Sequence, residues 1–351
     1  MLTPPFPPLV LTQGDPSSIA PEITVKAWQN LHHSGPVFVW IGDPTLLASS
    51  IPIQLVETIE EGKRIFTQAL PVLPISLMAP AIAGQPCVDN AACVLESICL
   101  ATTLTLNGHA CAMVTNPISK DILHRAGFQH PGHTSYLAEL CHVPGQEVMM
   151  LVSSFLHPPL RVVPLTEHVS LRKAIDQITP ELIILKARAV THGLIRDFGL
   201  SHTPRLAIAA LNPHAGENGL MGDEEQTIIS PAIERLRSEG FIISDPLPAD
   251  TLFTQEARQL YDVVLCMYHD QALIPIKTLD MAHSVNVTLG LPIIRTSPDH
   301  GTAFSLARES AKKNVGQSQA DSRSLEAALH LAAQLSCHKA TSPRYYSSLK
   351  S

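Results

Sequence analysis

The stretch that decides the fold is AIAALNPHAGENGLMGDEEQTIISPAIERL, residues 207–236. Five consecutive apolar residues open it, and Asn212, Pro213 and His214 break the run. Glycines at 216, 219 and 222 follow, and an acidic segment leads into EEQTIISPAIERLRSEG, a helix by pattern. A short, wholly apolar run followed by a glycine loop and a helix is the unit of a sheet covered on both faces. The same unit recurs along the chain. PLVLTQ (8–13) leads to PEITVKAWQNL, and VFVWIG (37–42) to DPTLLAS. ACAMVT (110–115) leads to ISKDILHRAG, RVVPLT (161–166) to VSLRKAIDQI, and DVVLCMY (262–268) to a segment ending in NVTLGLPII (286–294). This alternation predicts an α/β fold with mostly parallel sheet. A last helix is expected over 322–336, followed by a polar, frayed tail.

Length and composition bound the function. With 351 residues, 45% of them apolar, the chain can build roughly two domains. Lys and Arg number 24 against 31 Asp and Glu, so the net charge of −7 excludes the basic footprint of a nucleic-acid binder. Seven cysteines without a C-x-x-C pair read as reduced thiols. The start, MLTPPFPPLVLTQGDP, lacks the basic segment of a signal peptide. The most apolar long window, 70–84, holds three prolines and is too short to cross a bilayer. Together these predict a cytoplasmic protein with no membrane partner.

In open α/β sheets ligands bind beyond the carboxyl ends of the strands. His168, His214 and His269 stand there, after RVVPLT, RLAIAAL and DVVLCMY. Three neutral imidazoles with an open fourth position form a catalytic metal set. The plain alternative for each is a satisfied loop histidine, and no H-E-x-x-H motif joins them. Asp270 adjoins His269, and Asp250 lies in PLPADTLF. Either can orient a ligand or accept a proton, while Asp250 can instead cap a helix beginning TLFTQEARQL. Lys120 falls in the first turn of a predicted helix, and His133 and Thr134 open another, where backbone N–H groups attract anions. Lys277, Asn286 and Arg295 recur at nine-residue intervals in an otherwise apolar segment, which points to pairing or a cleft. No G-x-G-x-x-G follows any strand.

QGDPSSIAPE, VTNPISK, GHTSYLAE, LNPHAGENGLMGDEE, PLPADTLF, MYHDQALIPIK and VNVTLGLPIIRTSPDHGTA resemble, in order, the motifs of the 4-hydroxythreonine-4-phosphate dehydrogenase family of pyridoxine biosynthesis. The likeness runs from about residue 9 to about residue 308. It implies an isocitrate/isopropylmalate dehydrogenase-like fold, two α/β/α domains with a central cleft. Those domains would be 1–128 plus 300–345, and 129–299, the second carrying the metal and dimer surfaces. It implies a homodimer holding a divalent metal (zinc, magnesium or cobalt) on His168, His214 and His269, the last given by the partner subunit. Substrate contacts would come from His133, Thr134, Lys277, Asn286 and Arg295. NAD or NADP would bind without a Rossmann loop, with Asp299 and Gly301 on the nucleotide side. Asp250, Asp270 and Lys120 are the candidates for proton handling. The implied reaction oxidises the C3 hydroxyl of 4-phosphohydroxy-L-threonine and decarboxylates the β-keto acid, with 4-phospho-threonate or 4-phospho-erythronate as the alternative substrate. Ser18, Ala20, Asn116 and the segment 281–284 depart from the family pattern near the expected site, which bears on substrate and cofactor choice.

Overall fold

The computed structural model describes residues 6–47, 51–312 and 319–341. The end of the polar tail, 342–351, lies outside them. Twelve strands are present among the described residues: β1 Leu9–Thr12, β2 Phe38–Gly42, β3 Ile53–Leu55, β4 Leu70–Pro74, β5 Met113–Val114, β6 Val148–Ser153, β7 Leu160–Pro164, β8 Arg205–Ala209, β9 Ile242–Leu247, β10 Val263–Cys266, β11 Val285–Leu289 and β12 Arg295–Pro298. The helices are α1 Ala20–Leu31, α2 Gly62–Ile65, α3 Ala91–Leu106, α4 Lys120–Arg125, α5 His133–Leu140, α6 Leu171–Gln177, α7 Pro180–Arg196, α8 Ser230–Ser238, α9 His269–Asp280, α10 Phe304–Ser310 and α11 Arg323–Thr341.

Contacts divide the chain into two compact units, Met1–Glu147 with Leu291–Cys337, and Val148–Gly290 with His338–Ser351. The family resemblance implies exchanges near 128 and 300. In the structure α5 buries Leu137 and Ala138 in the first unit's core beside Ile98 and Ala101, and β12 pairs with β5.

The first unit's strands run β3-β4-β2-β1-β5-β12, all parallel. β1 and β2 are buried along their whole length, as strands covered on both faces must be. Gly14, just past β1, has φ +74°, and a Cβ there would stand 2.7 Å from the Cβ of Asn116. Only glycine meets both conditions.

The second unit's strands run β11-β6-β7-β10-β8-β9. β7, β10, β8 and β9 are mutually parallel, and β6 runs antiparallel to β7 and to β11. The carboxyl ends of β7, β10 and β8 are level: Cys266 pairs with Pro164, and Leu265 with Ile208. Three adjacent parallel strands thus present their loops on one edge.

Two sequence expectations need correction. The predicted helix over 224–240 is a π-helical turn, Glu225–Ile229, followed by α8, with Pro231 in the first turn of α8. No helix begins at Thr251; turns lead only to a short 3-10 turn at Ala257–Gln259, so Asp250 caps nothing.

Candidate active site

His168 follows β7, His214 follows β8, and His269 is the first residue of α9, after β10. The sheet therefore brings all three to one edge of the second unit. Two hydrogen bonds pin the loops after β7 and β10 together. Leu165 N–H donates to the Cys266 carbonyl (2.8 Å) and Thr166 Oγ1 to the Met267 carbonyl (3.0 Å). His168 and His269 then stand with ring centroids 5.6 Å apart. They line a cleft of about 200 Å³ with Thr166, Tyr268 and Asp270. His269 Nδ1–H donates to Asp270 Oδ1 (2.7 Å), which fixes the tautomer and leaves Nε2 as the nitrogen able to act as an acceptor or ligand.

His214 sits apart on an exposed turn. Residues 214–218 all have positive φ, from 44° to 73°, and four of the five are not glycine. His168 also has a positive φ of 46°. A left-handed L-residue costs roughly 1–2 kcal/mol, and such backbone persists where its surroundings fix it. Glu225, 4% exposed, does the fixing. Its Oε1 accepts from the N–H of Leu211 and of Asn212, both 2.8 Å, and its Oε2 from Asn212 Nδ2 (2.9 Å). Buried Gln271 makes a second clamp: Oε1 accepts from Met267 N–H and Nε2 donates to the Ala210 carbonyl, both 2.7 Å. It ties the segment before His269 to the segment before His214.

The donor chemistry fits a divalent metal, since imidazole suits zinc and other late first-row ions. Among the described residues of one chain, no group of three His, Cys, Asp or Glu forms a complete metal site.

The first unit holds a cationic cluster. His133 opens α5 beside Lys120 and Arg295, and a Cβ on Gly132 would stand 3.0 Å from Lys120 Cε. Arg295, 3% exposed, donates through Nε (3.2 Å) and Nη2 (2.6 Å) to Thr115 Oγ1. Burial brings its guanidinium down to about 10. Burial first, then the charges of Arg295 and Lys120, hold His133 well below the ordinary imidazole value, so it is neutral. Its Nε2 is buried and has no protein partner. A neutral imidazole nitrogen between two cations is placed for an anionic oxygen. Thr134 follows on the same turn, half-buried.

The remaining candidates are distributed as follows. Lys277 lies on α9 and Asn286 on β11, both half-buried, with Asn286 Oδ1 buried and unpartnered. Asp250 is exposed in the loop after β9. Asp299 N–H donates to Ser324 Oγ (3.0 Å), and Gly301 has open space where a Cβ would stand. In the segment 281–284, His283 Nδ1 lies 2.8 Å from Asp280 Oδ1 and its ring stacks on Phe155 at 3.9 Å. Asp280 Oδ2 accepts from Ser153 Oγ (2.5 Å).

Sequence reasoning missed Glu225, Gln271 and Asp15. Asp15 is buried just past β1, and burial pushes its carboxyl up to about 6. All three lie inside quoted motifs, GDEE, MYHDQ and QGDP, where an acid or amide in the segment that follows a strand is the available signal.

A family model described as pyridoxal phosphate biosynthetic protein PdxA matches residues 34–332. The chain belongs to the PdxA family. By that membership it is an oxidoreductase. PdxA relatives include the 4-hydroxythreonine-4-phosphate dehydrogenase of Bradyrhizobium diazoefficiens, 47% identical over 95% of this chain and 98% of that one. The dehydrogenase of the same name from Methylorubrum extorquens is 48% identical over 93% and 94%. Among solved structures, the 4-hydroxythreonine-4-phosphate dehydrogenase of Klebsiella pneumoniae superposes with a TM-score of 0.80 at 33% identity, covering 94% of this chain and 99% of that one. The α/β fold is thus that of solved PdxA-family enzymes.

Proposed function

We propose that this chain is an NAD(P)- and divalent-metal-dependent dehydrogenase, active as a cytoplasmic homodimer. It oxidises 4-phosphohydroxy-L-threonine at C3 and releases CO2 from the β-keto acid, giving 3-amino-2-oxopropyl phosphate for pyridoxal phosphate synthesis. The observation that carries this reading is the placement of His168, His214 and His269 after three adjacent parallel strands with level carboxyl ends, with Asp270 on the far nitrogen of His269. The names of the relatives supply the substrate. When bound, the two groups provide a hydride acceptor and a Lewis acid.

The chain's own residues then bind, orient and move protons. His168, His214 and His269 hold the metal, and Asp270 fixes the tautomer of His269. Asp270, already engaged by His269, is the weaker candidate for taking the hydroxyl proton, which leaves Asp250 and Lys120. His133, Thr134, Lys277, Asn286 and Arg295 bind substrate, the buried cations and neutral imidazole suiting its phosphate. Asp299 and Gly301 belong to the nicotinamide side. Exposed apolar side chains on the second unit, Leu220 at 82% and Met281 at 67%, with Phe155, Ile274 and Leu279, favour a subunit interface there.

The test follows reduced nicotinamide with 4-phosphohydroxy-L-threonine and either NAD or NADP, with and without a chelator. The expected result is turnover that the chelator stops and added zinc, cobalt or magnesium restores. Full turnover in metal-free protein would sink the reading. The Asp280–His283–Phe155 cluster, standing where the family pattern differs, keeps 4-phospho-erythronate or 4-phospho-threonate as a second substrate class. Faster turnover on either would move the assignment there.

A further inference from the structure

We infer that Glu225 is a positioning residue for His214, an inference that rests on the reading of His214 as a metal ligand. Four observations converge on it. First, His214, Ala215, Glu217 and Asn218 occupy left-handed backbone together with Gly216, an uninterrupted run that L-residues do not take unaided. Second, the carboxylate of Glu225 lies under that run and accepts three hydrogen bonds from its root, Leu211 N–H, Asn212 N–H and Asn212 Nδ2. Third, the fit has no slack: a Cβ on Gly216 would stand 2.7 Å from Glu225 Oε2. Fourth, Glu225 opens a π-helical turn, an uncommon geometry found often at functional sites. Glu224 adds one bond, accepting from Asn212 Nδ2 at 2.6 Å.

The turn's own backbone bonds, Met221 N–H to the Gly216 carbonyl (3.1 Å) and Leu220 N–H to the Glu217 carbonyl (3.4 Å), lie past His214 and do not fix its root. One buried carboxylate at its root sets the direction in which it projects the His214 imidazole. Glu225 acts through Leu211 and Asn212 at the root of the turn.

The experiment is a double-mutant cycle read by Co2+ affinity in calorimetry on metal-free protein, with thermal midpoints alongside. Wild type, Glu225→Ala, His214→Ala and the double variant are compared. Glu225→Ala is expected to weaken Co2+ binding about 10- to 100-fold. In the His214→Ala background the same change is expected to do nothing further. Ala215→Gly, which removes a Cβ at φ 54°, is expected to recover part of the loss. Should Glu225→Ala not fold, Glu225→Gln takes its place in the cycle. It keeps one acceptor for the two backbone N–H groups, and the loss should be smaller but still confined to proteins retaining His214. Equal losses in both backgrounds, or none in either, would overturn the role of Glu225. Wild-type affinity in His214→Ala would instead overturn the ligand reading.

Discussion

Asp15 loses most of its hydration where β1 ends, and burial moves its carboxyl from 3.8 to about 6 in the native state. Below about pH 4 both folded and unfolded chains carry the proton, and nothing is gained or lost. Between about 4 and 6 the unfolded chain releases it while the native chain keeps it, so stability falls as pH rises. Above about 6 the penalty is complete, on the order of 2–3 kcal/mol. Asp15→Asn should remove that fall, and thermal midpoints at pH 4.5 and 7.5 would show it. If wild type and variant keep parallel profiles, Asp15 is not the buried acid described. His133 offers a cleaner change. Its Nε2 bonds to no protein atom, so His133→Ala leaves nothing unpaired. The melting temperature should hold, while KM for the phosphorylated substrate rises about tenfold. An unchanged KM would remove His133 from the binding set. At this scale the sequence was most readable: the strand-end histidines needed only the end of an apolar run to be noticed. The buried state of Asp15 was not readable, because burial depends on Pro117, Ser17 and the rest of the unit, far apart in the chain or unmarked by type.

The elements were read less evenly. The apolar runs at 8–13, 37–42, 161–166, 205–211 and 262–268 became β1, β2, β7, β8 and β10 because each is buried on both faces and has no other use for its side chains. β6, VMMLVS, passed unnoticed despite an equally apolar run, since no helix follows it to complete the recurring unit. It joins β7 by a short turn instead, which is why it runs the other way. β4, LPVLP, was hidden by its prolines. The left-handed turn gave no signal at all: its handedness comes from Glu225, which follows seven residues after the turn's last left-handed non-glycine residue, Asn218. Gln271 shows the same dependence on distant partners. Gln271→Leu strands the Met267 N–H and the Ala210 carbonyl, at about 1–3 kcal/mol for each group left unpaired. Urea unfolding should register a lower midpoint at an unchanged slope. A midpoint within error of wild type would mean that the clamp carries no weight.

At the scale of the molecule, the proposed shared metal centre makes a prediction that a single chain cannot mimic. If His168 and His269 of one centre come from different subunits, mixing inactive His168→Ala and His269→Ala proteins rebuilds one intact centre per mixed dimer. Activity should return on mixing, to a fraction of wild type. Within one chain these two rings already lie 5.6 Å apart, so the companion mixture of His168→Ala with His214→Ala is the necessary control. Recovery there alone would make His214 the ligand that crosses, and recovery in neither would confine the centre to one subunit. The two-unit plan was foreseeable from length and from the alternation of strands and helices, but its exchange points were not, because they depend on β12 returning to β5. That return has a consequence for synthesis. Residues 148–290 form an uninterrupted stretch of one unit, whereas the first unit's sheet lacks its last strand until Arg295–Pro298 leaves the ribosome. During that interval the nascent N-terminal half carries an uncovered strand border at Met113–Val114, the segment where premature aggregation in vivo should begin.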